Sequence, residues 1–291
     1  MIRCTLTPAM FLQDYDPQEL RFAYSYHLYA RWRTYRNRPI TALSSMTATI
    51  LSDLAQPYKI HVLECAADEQ EVMAILSLQP TDSVSVCVSK LKGRVSKWLS
   101  SELALMTPTQ LLSRGYFATT VGKAKSTAVD EYLSRQGLHH GYSGRLLPPV
   151  FVKTYLLTHS DETLLMPKHG ISLARFHLVL STYKRQGVFT TEESKAVASV
   201  WRSKESDLRF RIEKVSFVPD HVHVALRLHP AVAPATVVAL LMSSAQRAIP
   251  NQLVATGLNQ LWQPSAYLGS LGDLTTPQVR KYMERFLEGA E

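Results

Sequence analysis

Two histidines flank a single valine in "FVPDHVHVALRL" (217–228). In a strand, alternate side chains point to the same face, so His221 and His223 look the same way. Two neutral imidazoles on one face can each give a nitrogen to a divalent metal. Asp220, just before them, could orient one ring from behind or be a turn residue only. Alone, an HxH pair is more often an ordinary pair of hydrogen-bonded strand residues, and a site needs a third group. A second stretch, "DEYLSRQ" (130–136), sets Tyr132 and Gln136 one helical turn apart on a shared face. A neutral phenol, with a reference pKa of about 10, is a poor nucleophile. Beside a metal-bound phosphate it can attack phosphorus and form a covalent intermediate. Without that setting, Tyr132 reads as an interfacial aromatic.

The elements that must position these residues occur twice. "SYHLYARWRTYRNRPIT" (25–41) resembles "RFHLVLSTYKRQGVFT" (175–190), with His27 opposite His177. "VMAILSLQP" (72–80) resembles "VHVALRLHP" (222–230), and "LLSRGYFATTVG" (111–122) resembles "LWQPSAYLGSLG" (261–272). "STAVDEYLSRQ" (126–136) resembles "TPQVRKYMERF" (276–286). All four pairings share an offset of 150, which chance matches in one order would not do. Each half reads as a strand (26–32; 176–182), a helix (42–54; 191–203) and two strands (58–65 and 71–78; 209–218 and 221–228). A helix (83–99; 234–248), a short strand (115–121; 265–271) and a final amphipathic helix (126–136; 276–287) follow. This interleaving predicts an α+β fold of two tandem ferredoxin-like domains, 1–146 and 147–291, meeting in the Gly/Pro-containing segment 137–149. "PVFVKTYLLTH" (149–159) reads as an extra strand between them.

The 291 residues suffice for two such cores, and 46% apolar with 19% charged residues describes a globular chain. No apolar run is long enough to cross a bilayer, and the N-terminus lacks the apolar core of a signal peptide. Cys4, Cys65 and Cys87 are odd in number without CxxC spacing, which excludes a disulfide framework and fits a reducing compartment. The net charge is +8 and the pI about 9.4, pointing to a polyanionic partner, most simply nucleic acid. That charge divides evenly, 16 Lys+Arg and 12 Asp+Glu in each half.

With these motifs together, the sequence resembles the single-tyrosine HUH transposases, which move small bacterial insertion sequences as single-stranded DNA, and their palindrome-associated relatives. "FHLVLSTYKRQGVF" resembles the family's opening strand, "VPDHVHVAL" its HUH strand, and "GYFATTVG…DEYLSRQ" its tyrosine-helix motif. The resemblance spans nearly the whole chain, once per half. It implies a cytoplasmic bacterial enzyme with a central antiparallel sheet that uses Mg²⁺ or Mn²⁺ and no nucleotide cofactor. Such an enzyme cuts single-stranded DNA beside a hairpin, leaves a 5′-phosphotyrosine and a free 3′-OH, and rejoins by the reverse reaction. In that family a glutamine four residues after the tyrosine completes the metal site. The dimer's sheets merge, and one subunit's tyrosine helix can dock on the other's HUH strand.

The halves depart from that pattern differently. At the positions of His221 and His223 the first half has Glu71 and Met73, while its tyrosine helix is intact. The second half keeps the histidines and Tyr282, but Phe286 stands where Gln136 does, and a phenyl ring cannot ligate a metal. One complete set therefore spans both halves: His221, His223 and Gln136 for the metal and Tyr132 as nucleophile, with Tyr282 a second, dispensable tyrosine. The resemblance thus predicts a monomeric pseudo-dimer with a composite site. "RWRTYRNR" (31–38) sets Arg31, Arg33, Arg36 and Arg38 among aromatics, suited to phosphates and stacked bases. Lys90, Lys92, Arg94 and Lys97 on a helix, and Lys184 and Arg185 in the second half, are further candidates for DNA contact. Two other readings stand beside the enzyme: a hairpin-binding protein that has lost its chemistry, and a metal-binding protein unrelated to DNA.

Overall fold

The computed structural model describes residues 12–122, 150–273 and 275–288. Helix 126–136 and segment 137–149 lie outside the described residues. The first half runs β1 (Arg21–Ser25), β2 (His27–Arg33), α1 (Ala48–Ala55), β3 (His61–Ala67), β4 (Glu71–Ser77), α2 (Val84–Glu102) and β5 (Phe117–Val121). After β6 (Phe151–Thr154) and α3 (His159–Leu165) the pattern repeats. It continues with β7 (Ile171–Thr182), α4 (Thr191–Ser203), β8 (Phe210–Val218), β9 (His221–Leu228), α5 (Pro234–Ala248), α6 (Pro250–Thr256), β10 (Trp262–Leu271) and α7 (Thr276–Glu288). Both halves are thus ferredoxin-like α+β units, as expected.

Three details differ from the sequence reading. The expected strand 149–159 is strand only as β6, because Thr158 and Asp161 form a capping box that starts α3. The expected helix 42–54 is divided into a 3-10 turn, Thr41–Ser45, and α1, whose N-cap is Thr47. Helix α6, opened by Pro250 and closed by Gly257 in the left-handed region, was not expected.

Ten strands form one sheet in the order β3-β4-β2-β5-β7-β9-β8-β6, with β10 on β7 and β1 on β10. The halves merge at its centre. β5 pairs with β2 of its own half and, in parallel, with the start of β7. β10 pairs with β7 and, in parallel, with β1. Thr120 and Ser270 pin this seam from symmetric positions. Thr120 Oγ1 accepts from Arg175 N–H at 2.9 Å and donates to Leu271 O at 2.6 Å. Ser270 Oγ accepts from His27 N–H at 3.0 Å and donates to Val121 O at 2.6 Å. Gly170 opens β7 at φ +109, where a Cβ would lie 2.1 Å from Tyr116 O, so only glycine permits this approach. The symmetry extends to the helices: Ser85 N–H donates to Pro230 O and Ala235 N–H to Pro80 O, each at 2.8 Å.

The ladders correct one pairing of the duplication. β3, β4, β5 and their counterparts obey the offset of 150, bulges included (Val62/Glu64; Ile212/Lys214). The first strand obeys 148. His27 opposes Val121 as Arg175 opposes Leu271, so the counterpart of His177 is Tyr29, not His27. The left-handed turns agree: Arg36 and Asn37 match Lys184 and Arg185.

One face of the sheet carries the large core beneath α1, α2, α4 and α5, built from Leu28, Val72, Ala74, Val224, Leu226, Phe176 and Trp201 among others. The other face of β2, β4, β7 and β9 carries Tyr29, Met73, His177 and His223. Among the described residues no helix is long and apolar enough to cross a membrane.

Candidate active site

β9 is hydrogen-bonded on both sides, by β7 and β8, and all eight of its residues are buried. His221 and His223 sit on its face opposite the large core, 3% and 4% exposed, with ring centroids 5.0 Å apart. Each ring is held through Nδ1. His221 Nδ1 lies 2.6 Å from Asp220 Oδ1, and Asp220 in turn pairs with Arg185 at 2.9 Å. Burial would raise the Asp220 pKa, but the His221 hydrogen bond and Arg185 outweigh it, so the carboxylate stays ionised. Asp220 is therefore an orienting acceptor, beyond any role in the turn.

His223 Nδ1 lies 2.9 Å from His177 Nε2, the rings stacked at 17°. Burial pushes His177 down to about 4, so it is neutral near pH 7. For His223 to offer Nε2 to a cation, its Nδ1 must carry the proton and donate to His177 Nε2. A neutral His177 can accept that bond and an imidazolium cannot. His177 was missed as a site residue. Its strand parity places it opposite the core-facing Phe176 and Leu178, and only the β7–β9 register places it beside His223.

Among the described residues no group of three or more His, Cys, Asp or Glu side chains gathers to hold a metal. Tyr132 and Gln136 lie outside the described residues. Tyr282 and Phe286 fall within α7 by chain position.

On the first half the same backbone carries different chemistry. Glu71, where His221 would be, is 8% exposed and pairs with Arg33 at 2.9 Å and Arg31 at 3.9 Å. Met73, in the place of His223, is fully buried in a cluster with Tyr29, Ala66, Ile75 and Val121. Val279 and Met283 of α7 complete that cluster, and Arg280 Nε donates to Glu64 at 2.7 Å. The second half's C-terminal helix therefore docks on the first half.

The basic candidates divide. Arg31 and Arg33 neutralise Glu71, and Lys92 Nζ donates to the carbonyls of Ser113, Arg114 and Gly115 at 2.5–2.8 Å. Burial lowers Lys92 to about 8, which leaves it mostly protonated at neutral pH. Lys90 lies over Tyr58, Lys97 is exposed and Arg94 half-buried along α2. Arg36 over Tyr35 and Lys184 over Tyr183 occupy symmetric turns, each with two consecutive non-glycine residues at positive φ. Arg185 is the second residue of its turn and Arg38 follows the other, both exposed.

The family profile described as "Transposase IS200 like" matches residues 21–136 and again 171–285. The chain belongs to the IS200-like transposase family. Each match covers one half, which accounts for the internal repeat. No curated protein matches the chain. Among solved structures, a Deinococcus radiodurans R1 protein assigned as a transposase is similar at 25% identity, over 39% of this chain and 90% of its own, with a TM-score of 0.31. A REP-associated tyrosine transposase bound to a REP hairpin is similar at 20% identity over 38% of this chain and 62% of its own, with a TM-score of 0.25. A chlorite dismutase from Candidatus Nitrospira defluvii is similar at 11% identity over 91% of this chain and 96% of its own, with a TM-score of 0.22.

Proposed function

We propose that this IS200-like protein nicks and rejoins single-stranded DNA through one composite site, assembled from both halves of a monomeric pseudo-dimer (1–146 and 147–291). The observation that carries this reading is the docking of α7 across the pseudo-dyad onto the first half. The same operation would bring helix 126–136 over His221 and His223, and with it Tyr132 and Gln136. In that arrangement the Tyr132 oxygen attacks the phosphorus as the bond to the 3′ oxygen breaks. The product is a 5′-phosphotyrosine and a 3′-OH strand end. Religation reverses the step with a 3′-OH as nucleophile, so the phosphoester energy is conserved.

The donor set suits a hard divalent ion, Mg²⁺ or Mn²⁺. Two imidazoles, the Gln136 amide oxygen, a DNA phosphate and waters would surround it, with no cysteine thiol among the proposed ligands. Such an ion polarises the scissile phosphate and lowers the barrier to phenolate attack. Asp220 and His177 engage the two imidazoles through Nδ1, so an ion would be taken by Nε2 of each. The substrate is single-stranded DNA beside a hairpin, as the family resemblance implies. The symmetric basic turns at Arg36 and Lys184, with Arg38, Arg185, Lys90 and Lys97, offer contacts for its phosphates.

A second reading, a hairpin-binding protein without chemistry, is favoured by Glu71 and Met73, which have erased one of two ancestral sites. Incubation with labelled hairpin-bearing single-stranded DNA and Mg²⁺ or Mn²⁺, followed by a denaturing gel, separates the two. A metal-dependent covalent protein–DNA adduct supports the nickase, and tight binding without adduct supports the binding protein.

A further inference from the structure

Chain connectivity leaves the direction of α7 open. Thr275 sits on the seam, bridged in parallel to Gly122, and Thr276 N–H donates to Gly122 O at 3.1 Å. A helix leaving that point can turn onto either half, and the backbone beneath it is the same in both. Glu64 opposes Ile75 after the β3 bulge as Lys214 opposes Ala225 after the β8 bulge.

The side chains differ. On the first half α7 meets Tyr29, Met73, Ile75 and Val121, and Arg280 meets the Glu64 carboxylate. The equivalent positions of the second half hold His177, His223, Ala225, Leu271 and Lys214. There Arg280 would face a like charge, and Val279 and Met283 would face imidazoles.

We propose that Glu64 and Lys214 form a charge code that sorts the C-terminal helices between the two halves of the sheet. Tyr29 and Met73, which match His177 and His223 in register, form the receptor for α7. Glu64 attracts Arg280 and Lys214 repels it, so α7 is directed to the first half and the histidine face is kept for another helix. The sequence carries the complementary charge: Asp130 stands in the repeat where Arg280 stands, suited to Lys214 and repelled by Glu64. Asp130 itself lies outside the described residues. The idea rests on the composite-site reading only for which face is catalytic.

The test needs neither DNA nor metal, so its failure is distinct from a failure of the nickase reading. Nitroxide labels on Lys281→Cys and His61→Cys, both exposed positions, report the docking of α7 by pulsed electron resonance. Cys4 and Cys65 are replaced by serine in this background, and Cys87 is buried. The parent should give one short, narrow distance. Glu64→Lys should broaden it and raise the long-distance fraction several-fold, and Glu64→Gln should do so partially. Arg280→Glu added to Glu64→Lys should restore the narrow distance. Adding Lys214→Glu to Glu64→Lys should raise the long-distance fraction further. An unchanged distribution in Glu64→Lys, or no restoration in a double variant whose circular dichroism matches the parent, would overturn the charge code.

Discussion

The face of the sheet opposite the large core holds two versions of one surface. On the second half His221, His223 and His177 line up on β9 and β7 with Asp220 and Arg185 behind them. On the first half the same places hold Glu71, Met73 and Tyr29, and the apolar face of α7 packs on Met73 and Tyr29. The backbone register, the bulge and the seam contacts are shared, so the fold did not decide between the two outcomes. Three side-chain differences separate a face of imidazoles from a seat for α7. The buried carboxylate left over at Glu71 is offset by Arg31 and Arg33, as an uncompensated buried charge would be costly. One half can be spared for packing because the other retains the imidazoles.

The comparison can be broken at several points. The largest effect belongs to His221→Ala with His223→Ala, which should reduce DNA cleavage to background, as should chelation of divalent ions. Normal cleavage by this variant would remove the histidine face from the chemistry. Met73→Ala should cost about 2–5 kcal/mol of stability, the range for a buried methionine, in chemical denaturation. Cleavage below the melting range should remain, since Met73 lies on the half without the histidine pair. His177→Phe should weaken metal binding by roughly 10–100-fold, because His223 loses the acceptor that fixes its tautomer. Calorimetry with Mn²⁺ would show this, and unchanged affinity would make His177 a packing residue only. The smallest effect is expected for Arg280→Ala, about 0.2–1 kcal/mol, since the ion pair with Glu64 is half exposed.

Much of this was legible in the sequence. The repeat, the α+β class and the HxH strand follow from periodicity and spacing, and α4, α5 and β9 fall where those patterns put them. The register of the first strand was not legible. A slip of two residues keeps every side chain on its face, so offsets of 148 and 150 predict the same alternation of apolar and polar positions. The chance match of His27 to His177 then looked convincing, and only the pairing of His27 with Val121 and of Arg175 with Leu271 removes it. The merging of the halves through β1–β10 and β5–β7 was equally hidden in the strand pattern, because alternation says which face is buried and not which strand lies alongside. His177 illustrates the same limit at the site. A histidine on a half-buried strand has no signature until its cross-strand neighbour is known.

The central claim is that the tyrosine acting on the histidine face comes from the other half. Tyr132→Phe and Tyr282→Phe should be compared for covalent attachment to a labelled single-stranded hairpin substrate in Mn²⁺, with Gln136→Ala alongside. The composite site predicts no adduct for Tyr132→Phe, most of the parent's adduct for Tyr282→Phe, and a loss on the order of a hundredfold in rate for Gln136→Ala through misalignment. An adduct that survives Tyr132→Phe and vanishes in Tyr282→Phe would place the whole reaction within the second half and contradict the shared site.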